Sequence, residues 1–140
     1  MANQDTVSMY PIGVVASGLR NRQNAPRQPF HDAPEASLII DQRFIEAIDG
    51  IKPGAEILVL TWLHNANRDI LKVHPGHDPR NALAGVFSTR SPDRPNPIGL
   101  HRVKVLAIED HGRLKVDHLE AIDGTPILDI KPVLNHRRGQ

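Results

Sequence analysis

Apolar residues in this chain fall in short runs, and the clearest runs alternate with polar positions. Between residues 100 and 110, Val103, Val105 and Ala107 alternate with polar or outward-facing neighbours, the spacing of a half-buried strand. Asp110-His111-Gly112 then offers a tight turn, and Arg113 to Leu119 answers as the returning strand. Asp123-Gly124-Thr125 gives a second turn before a strand over 126–133. Residues 55–64, AEILVLTWLH, are almost continuously apolar and predict a strand buried on both faces. ASLIID (36–41) and ALAGVFS (82–88) read as short strands, and 7–19 as an extended segment that Pro11 marks as edge or bulged. QRFIEAIDGI (42–51) is the one good helix candidate, with Asp41 as N-cap and Gly50 as stop. Residues 21–34 and 67–81 read as irregular loops, the second with one helical turn.

Six or seven strands with one or two short helices predict a mainly β fold, a small antiparallel β-barrel. No internal repeat or linker interrupts the chain, so residues 1–140 are expected to form a single domain, with a short basic tail, NHRRGQ, frayed at its end.

Composition narrows the chemistry. The formal net charge is +1, so binding to nucleic acid would depend on a local patch rather than a bulk field. There is no cysteine, which excludes disulfides, thiolate nucleophiles and cysteine-based zinc sites. No basic-then-apolar leader is visible, and no window approaches the roughly 18–20 apolar residues of a membrane span. The expectation is a cytoplasmic protein without a membrane partner. Eight histidines raise the question of a metal, but His64, His74 and His77 with Asp78 are irregularly spaced, and no metal site is predicted.

One loop stands apart. STRSPDRPNPIGLH (88–101) holds Pro92, Pro95 and Pro97 among Arg90 and Arg94. Each proline fixes its own φ, restricts the residue before it and donates no hydrogen bond, so the loop is stiff and nearly pre-ordered. Its arginines can present planar forks to a carboxylate or phosphate, or face solvent at a rigid corner. Gly99 permits close backbone approach.

GVFSTRSPDRPNPIGL (85–100) followed by LEAIDGTPILDIKP (119–132) resembles the paired signature of the TsaA-like family, with weaker matches at APRQ (25–28) and WLHN (62–65). That family includes tRNA methyltransferases acting on N6 of a threonylcarbamoyl-adenosine beside the anticodon. The resemblance implies an S-adenosyl-L-methionine-binding barrel, a homodimer, and cofactor near the subunit interface. Pro26, Arg27 and Gln28 are then expected to fold over the cofactor, and Arg90 to take its carboxylate. His64, Asn65 and Leu100 would line the site. Ala121, Ile122 and Asp123 would meet the nucleoside, with the backbone of Gly124 and Thr125 reading the adenine edge. From the residues alone, His64 can equally be a structural histidine, and Asp123 can cap its own turn. His64 and Asp123 are the candidates for handling the acceptor's proton. Asp129 and Lys131 alternate on the last strand and are expected to pair.

The activity implied is methyl transfer to a tRNA anticodon-loop adenosine. A small-molecule acceptor, or a non-catalytic cofactor- or RNA-binding module, is the alternative. Only five aromatics are present, Tyr10, Phe30, Phe44, Trp62 and Phe87, and several are expected in the core, which argues against a broad stacking platform.

Overall fold

The computed structural model describes residues 5–18 and 35–134. The strands there are β1 (Gly13–Ala16), β2 (Ala36–Ile40), β3 (Glu56–Trp62), β4 (Lys72–Val73), β5 (Ala84–Gly85), β6 (Ile98–Glu109), β7 (Arg113–Val116) and β8 (Pro126–Pro132). Six of them close into an antiparallel barrel in the order β1-β2-β7-β6-β3-β8, with β8 returning to β1. β4 and β5 form a separate two-stranded ribbon.

Alternation builds the interior. Val15, Leu38, Ile40, Ile57, Val59, Val103, Val105, Leu114, Val116 and Ile127 are buried together in one cluster. Between them on β6, Leu100, Arg102 and Lys104 face out. Each buried aliphatic side chain contributes about 1.5–3 kcal/mol. The cluster contains no aromatic; Phe44 only packs against its edge. The expectation that aromatics fill the core is therefore corrected: branched aliphatics suit the narrow interior of a six-stranded barrel, and rings are left outside. Gly13 permits a close strand contact, because a Cβ there would run into the backbone carbonyl of Ile39.

Topology sorts the connections. At one end β1, β3 and β7 finish and β2, β6 and β8 begin, so the connections 17–35, 63–97 and 117–125 leave from the same mouth. At the other end lie 41–55 and 110–112. In the ring, β2 stands opposite β3 and β7 opposite β8, so each end is crossed by one connection. Residues 41–55 cross the far end, packing Phe44, Ile45, Ile48 and Ile51 against the core. Residues 117–125 cross the mouth, with Leu119 and Ala121 buried in the core cluster.

Three predicted elements are corrected. Residues 42–51 are not an α-helix: Gln42–Ile48 is a 3-10 helix, with Asp41 capping it by accepting from Arg43 N. The 3-10 form rises about 2.0 Å per residue against 1.5 Å, which suits a short segment spanning a barrel end. Within 82–88 only Ala84–Gly85 is strand, and Val86–Ser88 is a 3-10 turn. β7 stops at Val116, because the chain must leave β6 to cross the mouth; His118 turns it there with φ 47°. Among the described residues no helix is long and apolar enough to cross a membrane.

Candidate ligand cleft at the barrel mouth

The proline-rich loop is organised by one arginine. Arg94 folds back and donates to Val86 O (2.8 Å), Thr89 O (3.0 Å) and Ser91 O (2.8 Å). Prolines remove amide donors from this segment, so its carbonyls need another source, and the guanidinium supplies it. This corrects the reading of Arg94 as a phosphate-facing surface charge, since its donors are used inside the loop. Hydroxyls complete the turn: Ser91 N donates to Thr89 Oγ1, and Asp93 N to Ser91 Oγ. From outside, Arg68 donates to Pro95 O (2.7 Å) and Asn96 Oδ1 (3.1 Å) while stacking on Trp62. Pro97 is fully buried, and its carbonyl accepts from Leu63 N.

A cleft of about 350 Å³ opens beside this loop, lined in part by Leu63, Phe87, Arg90, Asn96, Gly99 and Leu100. That volume lies at the lower end of ordinary ligand pockets. The predicted contacts Arg90 and Leu100 meet here. Arg90 is exposed and holds no hydrogen bond or ion pair among the described residues. Phe87, one of the five aromatics of which several were expected in the core, is 80% exposed at the lip. His64 and Asn65 lie exposed in the turn directly after Leu63, at the barrel mouth as expected.

Beneath Gly99 sits a pair that the sequence reading missed. Thr61, fully buried, and His101 hydrogen-bond at 2.9 Å (Oγ1 to Nε2). A Cβ on residue 99 would lie 2.5 Å from Thr61 Oγ1 and 2.9 Å from His101 Nε2, so the close approach expected of Gly99 is real. Burial pushes the His101 imidazole down to about 4, which keeps it neutral near pH 7. A signal was available: His101 occupies the inward register of β6, two residues before Val103.

The third connection is tied to β1. Ser17 Oγ donates to Ala121 O (2.7 Å), and Ser17 N to Asp123 Oδ1 (2.9 Å). Gly124 N donates to Val15 O, and Thr125 N to Ile122 O, an oxygen that the Thr125 hydroxyl also meets. Of the backbone groups expected to read an adenine edge, the two amides are thus engaged within the protein: Gly124 N docks the turn on β1, and Thr125 N closes the turn itself. Asp123 holds the start of the connection that carries Pro26, Arg27 and Gln28, which lie outside the described residues. Glu120, also missed, sits between the buried Leu119 and Ala121. Its Oε1 is buried without a hydrogen-bond partner, and desolvation raises its carboxyl above the usual range. On β8, Asp129 and Lys131 pair at 3.3 Å as expected. Among the described residues no three potential metal ligands converge, and His74 and Asp78 are engaged by Asn81 O and Arg80.

A closed aliphatic barrel with a cleft beside the connection 63–97 at one mouth defines a small barrel with a ligand-sized cleft at its end, distinct from the wound sheets that bind dinucleotides. The sequence matches the tRNA-methyltransferase O N-terminal domain over residues 14–137, and the chain belongs to that family. An "S-adenosyl-L-methionine-binding protein" of Archaeoglobus fulgidus is 45% identical over 124 residues, covering 88% of this chain and 86% of the relative. A crystal structure of TrmO superposes with TM-score 0.76 at 33% identity, over 96% of this chain and 61% of that one. The crystal structure of TrmO from Pseudomonas aeruginosa gives TM-score 0.73 at 32% identity, over 96% and 59%. The chain thus spans about 60% of the solved TrmO chains.

Proposed function

We propose that this chain binds S-adenosyl-L-methionine at the barrel mouth and transfers its methyl group to N6 of a modified adenosine beside a tRNA anticodon. The observation that carries the reading is the unpaired Arg90 guanidinium in a cleft held open by the Arg94-braced loop, in a chain of the TrmO N-terminal family. The residues fit the group. In the cleft, Arg90 offers a fork for the carboxylate and Leu63 and Leu100 offer apolar wall; on the separate connection that crosses the mouth, Glu120 has an unsatisfied acceptor. S-adenosylmethionine, when bound, supplies a methyl group activated on a positively charged sulfur. The protein's tasks are positioning and exclusion of water. Asn65, Ala121 and Ile122 would border the nucleoside, with Pro26, Arg27 and Gln28 closing over it. Asp123, by fixing Ser17, would orient that closing segment. His64 in the exposed turn is the proposed acceptor of the proton lost from the attacking nitrogen.

Phe87, Ile98 and Leu100 leave apolar surface at the lip of the cleft. In this reading a second copy packs there as a two-fold dimer, the commonest closed assembly. Calorimetry with S-adenosylhomocysteine and light scattering test cofactor and assembly. Labelled methyl transfer to tRNA, followed by nucleoside mass spectrometry, tests the acceptor. The reading expects one N6-methylated product and tRNA binding that weakens steeply with salt. Methylation of small acceptors with no salt-dependent tRNA binding would replace the tRNA assignment, and a folded protein that binds no cofactor would end the methyltransferase reading.

A further inference from the structure

The connection 117–125 crosses the open end of the barrel and buries alternate residues. Leu119 and Ala121 enter the core cluster, and Glu120 between them stays outside it, partly exposed. Its carboxylate lies at the boundary. Oε1 is buried and meets no donor, while the residue as a whole keeps partial exposure. Several other carboxylates near this mouth are matched. Asp123 accepts from Ser17 N, Asp117 from Lys104 N, Asp93 from Asn67 N, and Glu35 pairs with Lys115. Glu120 alone combines a buried oxygen with the absence of any hydrogen bond or ion pair among the described residues.

A desolvated carboxylate without a donor is costly, and buried polar groups in folded chains are almost always satisfied. A neutral donor offsets that cost in part. A cation with N–H groups offsets it best, through charge and hydrogen bonding together. At the amino-acid end of S-adenosylmethionine there is one such group, the α-ammonium. We propose that Glu120 is the counter-charge for that ammonium. With Arg90 facing the carboxylate, the mouth would then recognise both signs of the zwitterion. The inference rests on the cofactor reading above. It assigns Glu120 to ligand recognition and leaves the proton-handling role to another residue.

Three ligands separate the possibilities by calorimetry on the full chain and on Glu120→Gln: S-adenosylmethionine, S-adenosylhomocysteine, and 5′-methylthioadenosine, which lacks the amino-acid end. The substitution should weaken the first two roughly tenfold or more, as for a lost charge-assisted hydrogen bond, and leave the third within about twofold. In the absence of ligand the variant should melt no lower than the parent, since it removes a desolvated charge. Should Glu120→Gln fail to fold, Glu120→Ala is read against the same three ligands. Equal weakening of methylthioadenosine, or no change in any ligand, overturns the assignment. Weakening of S-adenosylmethionine alone overturns it too, because it would place the contact at the sulfonium. If the parent chain binds none of the three, the cofactor reading itself fails, an outcome visible before any variant is made.

Discussion

The two ends of the barrel are built to different rules. At the far end, polar groups are satisfied locally and space is filled. Asp41 N donates to Ile12 O, Ile40 N to Gly112 O, and Gln42 Nε2 to His111 O, while Ile45, Ile48 and Ile51 seal the core. At the mouth, Arg90 has no partner among the described residues, Phe87 is bare, and a carboxylate oxygen is buried without a donor. Such features reduce stability. Their concentration at one end fits the ligand site proposed there, while the sealed end contributes to the fold.

That contrast can be broken most strongly at Gly13. Alanine there forces β1 away from the Ile39 carbonyl and should cost roughly 3–4 kcal/mol, read as a lowered denaturant midpoint. Stability within about 0.5 kcal/mol of the parent would show that the far end tolerates strain as loosely as the mouth.

His101 joins the two regions, and pH is its probe. Its folded pKa of about 4 lies below the 6.5 of an ordinary histidine. Between these values the unfolded chain holds more protons, so His101's contribution is complete above pH 6.5 and is lost as pH falls through 4. The loss amounts to about 3 kcal/mol. Glu120 works against this in acid, since its raised carboxyl is relieved of a cost when protonated. Urea titrations at several pH values should show a shallower acid slope for His101→Gln than for the parent, and equal slopes would remove His101 as the cause.

Arg90→Ala should act in the opposite sense to Gly13→Ala. S-adenosylhomocysteine affinity is expected to fall by about 1.5–3 kcal/mol, while stability moves by no more than about 0.5 kcal/mol. Lost stability with retained affinity would return Arg90 to a structural role. The smallest effect is expected at Pro95→Ala, which keeps the carbonyl that Arg68 uses and alters only chain freedom, about 0.4–1 kcal/mol. Melting and binding measured together show whether that freedom is felt in the fold or in the cleft.

The barrel was legible because its strands obey one period: Val103, Val105, Leu114 and Val116 are where the alternation puts them. The 42–51 segment misled because its cap and stop signals, Asp41 and Gly50, do not distinguish α from 3-10 geometry when the segment must bridge a barrel end. Arg90 and Leu100 could be placed in one site through the motif they share. The uses of Arg94 and of the Gly124 and Thr125 amides could not, because carbonyls in need of a donor are invisible in a sequence. Glu120 and His101 were passed over for a related reason. Each gains its chemistry from burial: that of Glu120, between apolar neighbours, is settled only when its connection is folded, whereas that of His101 follows from its register on β6 and was overlooked.

The barrel is closed by a short seam. β1 and β8 share two residue pairs, Gly13 with Ile127 and Val14 with Pro126, whereas β3 and β6 share seven. A chain made from its N-terminus exposes β1 more than a hundred residues before its second neighbour exists. Through that interval one edge of β1 offers unpaired amides and carbonyls, the arrangement that invites pairing with another chain. The contact that ends the exposure is also the most distant in sequence, which slows its formation. At the mouth, Ser17 and Asp123 stand on the two sides of this seam, so the hydrogen bond between them can form only as the ring closes.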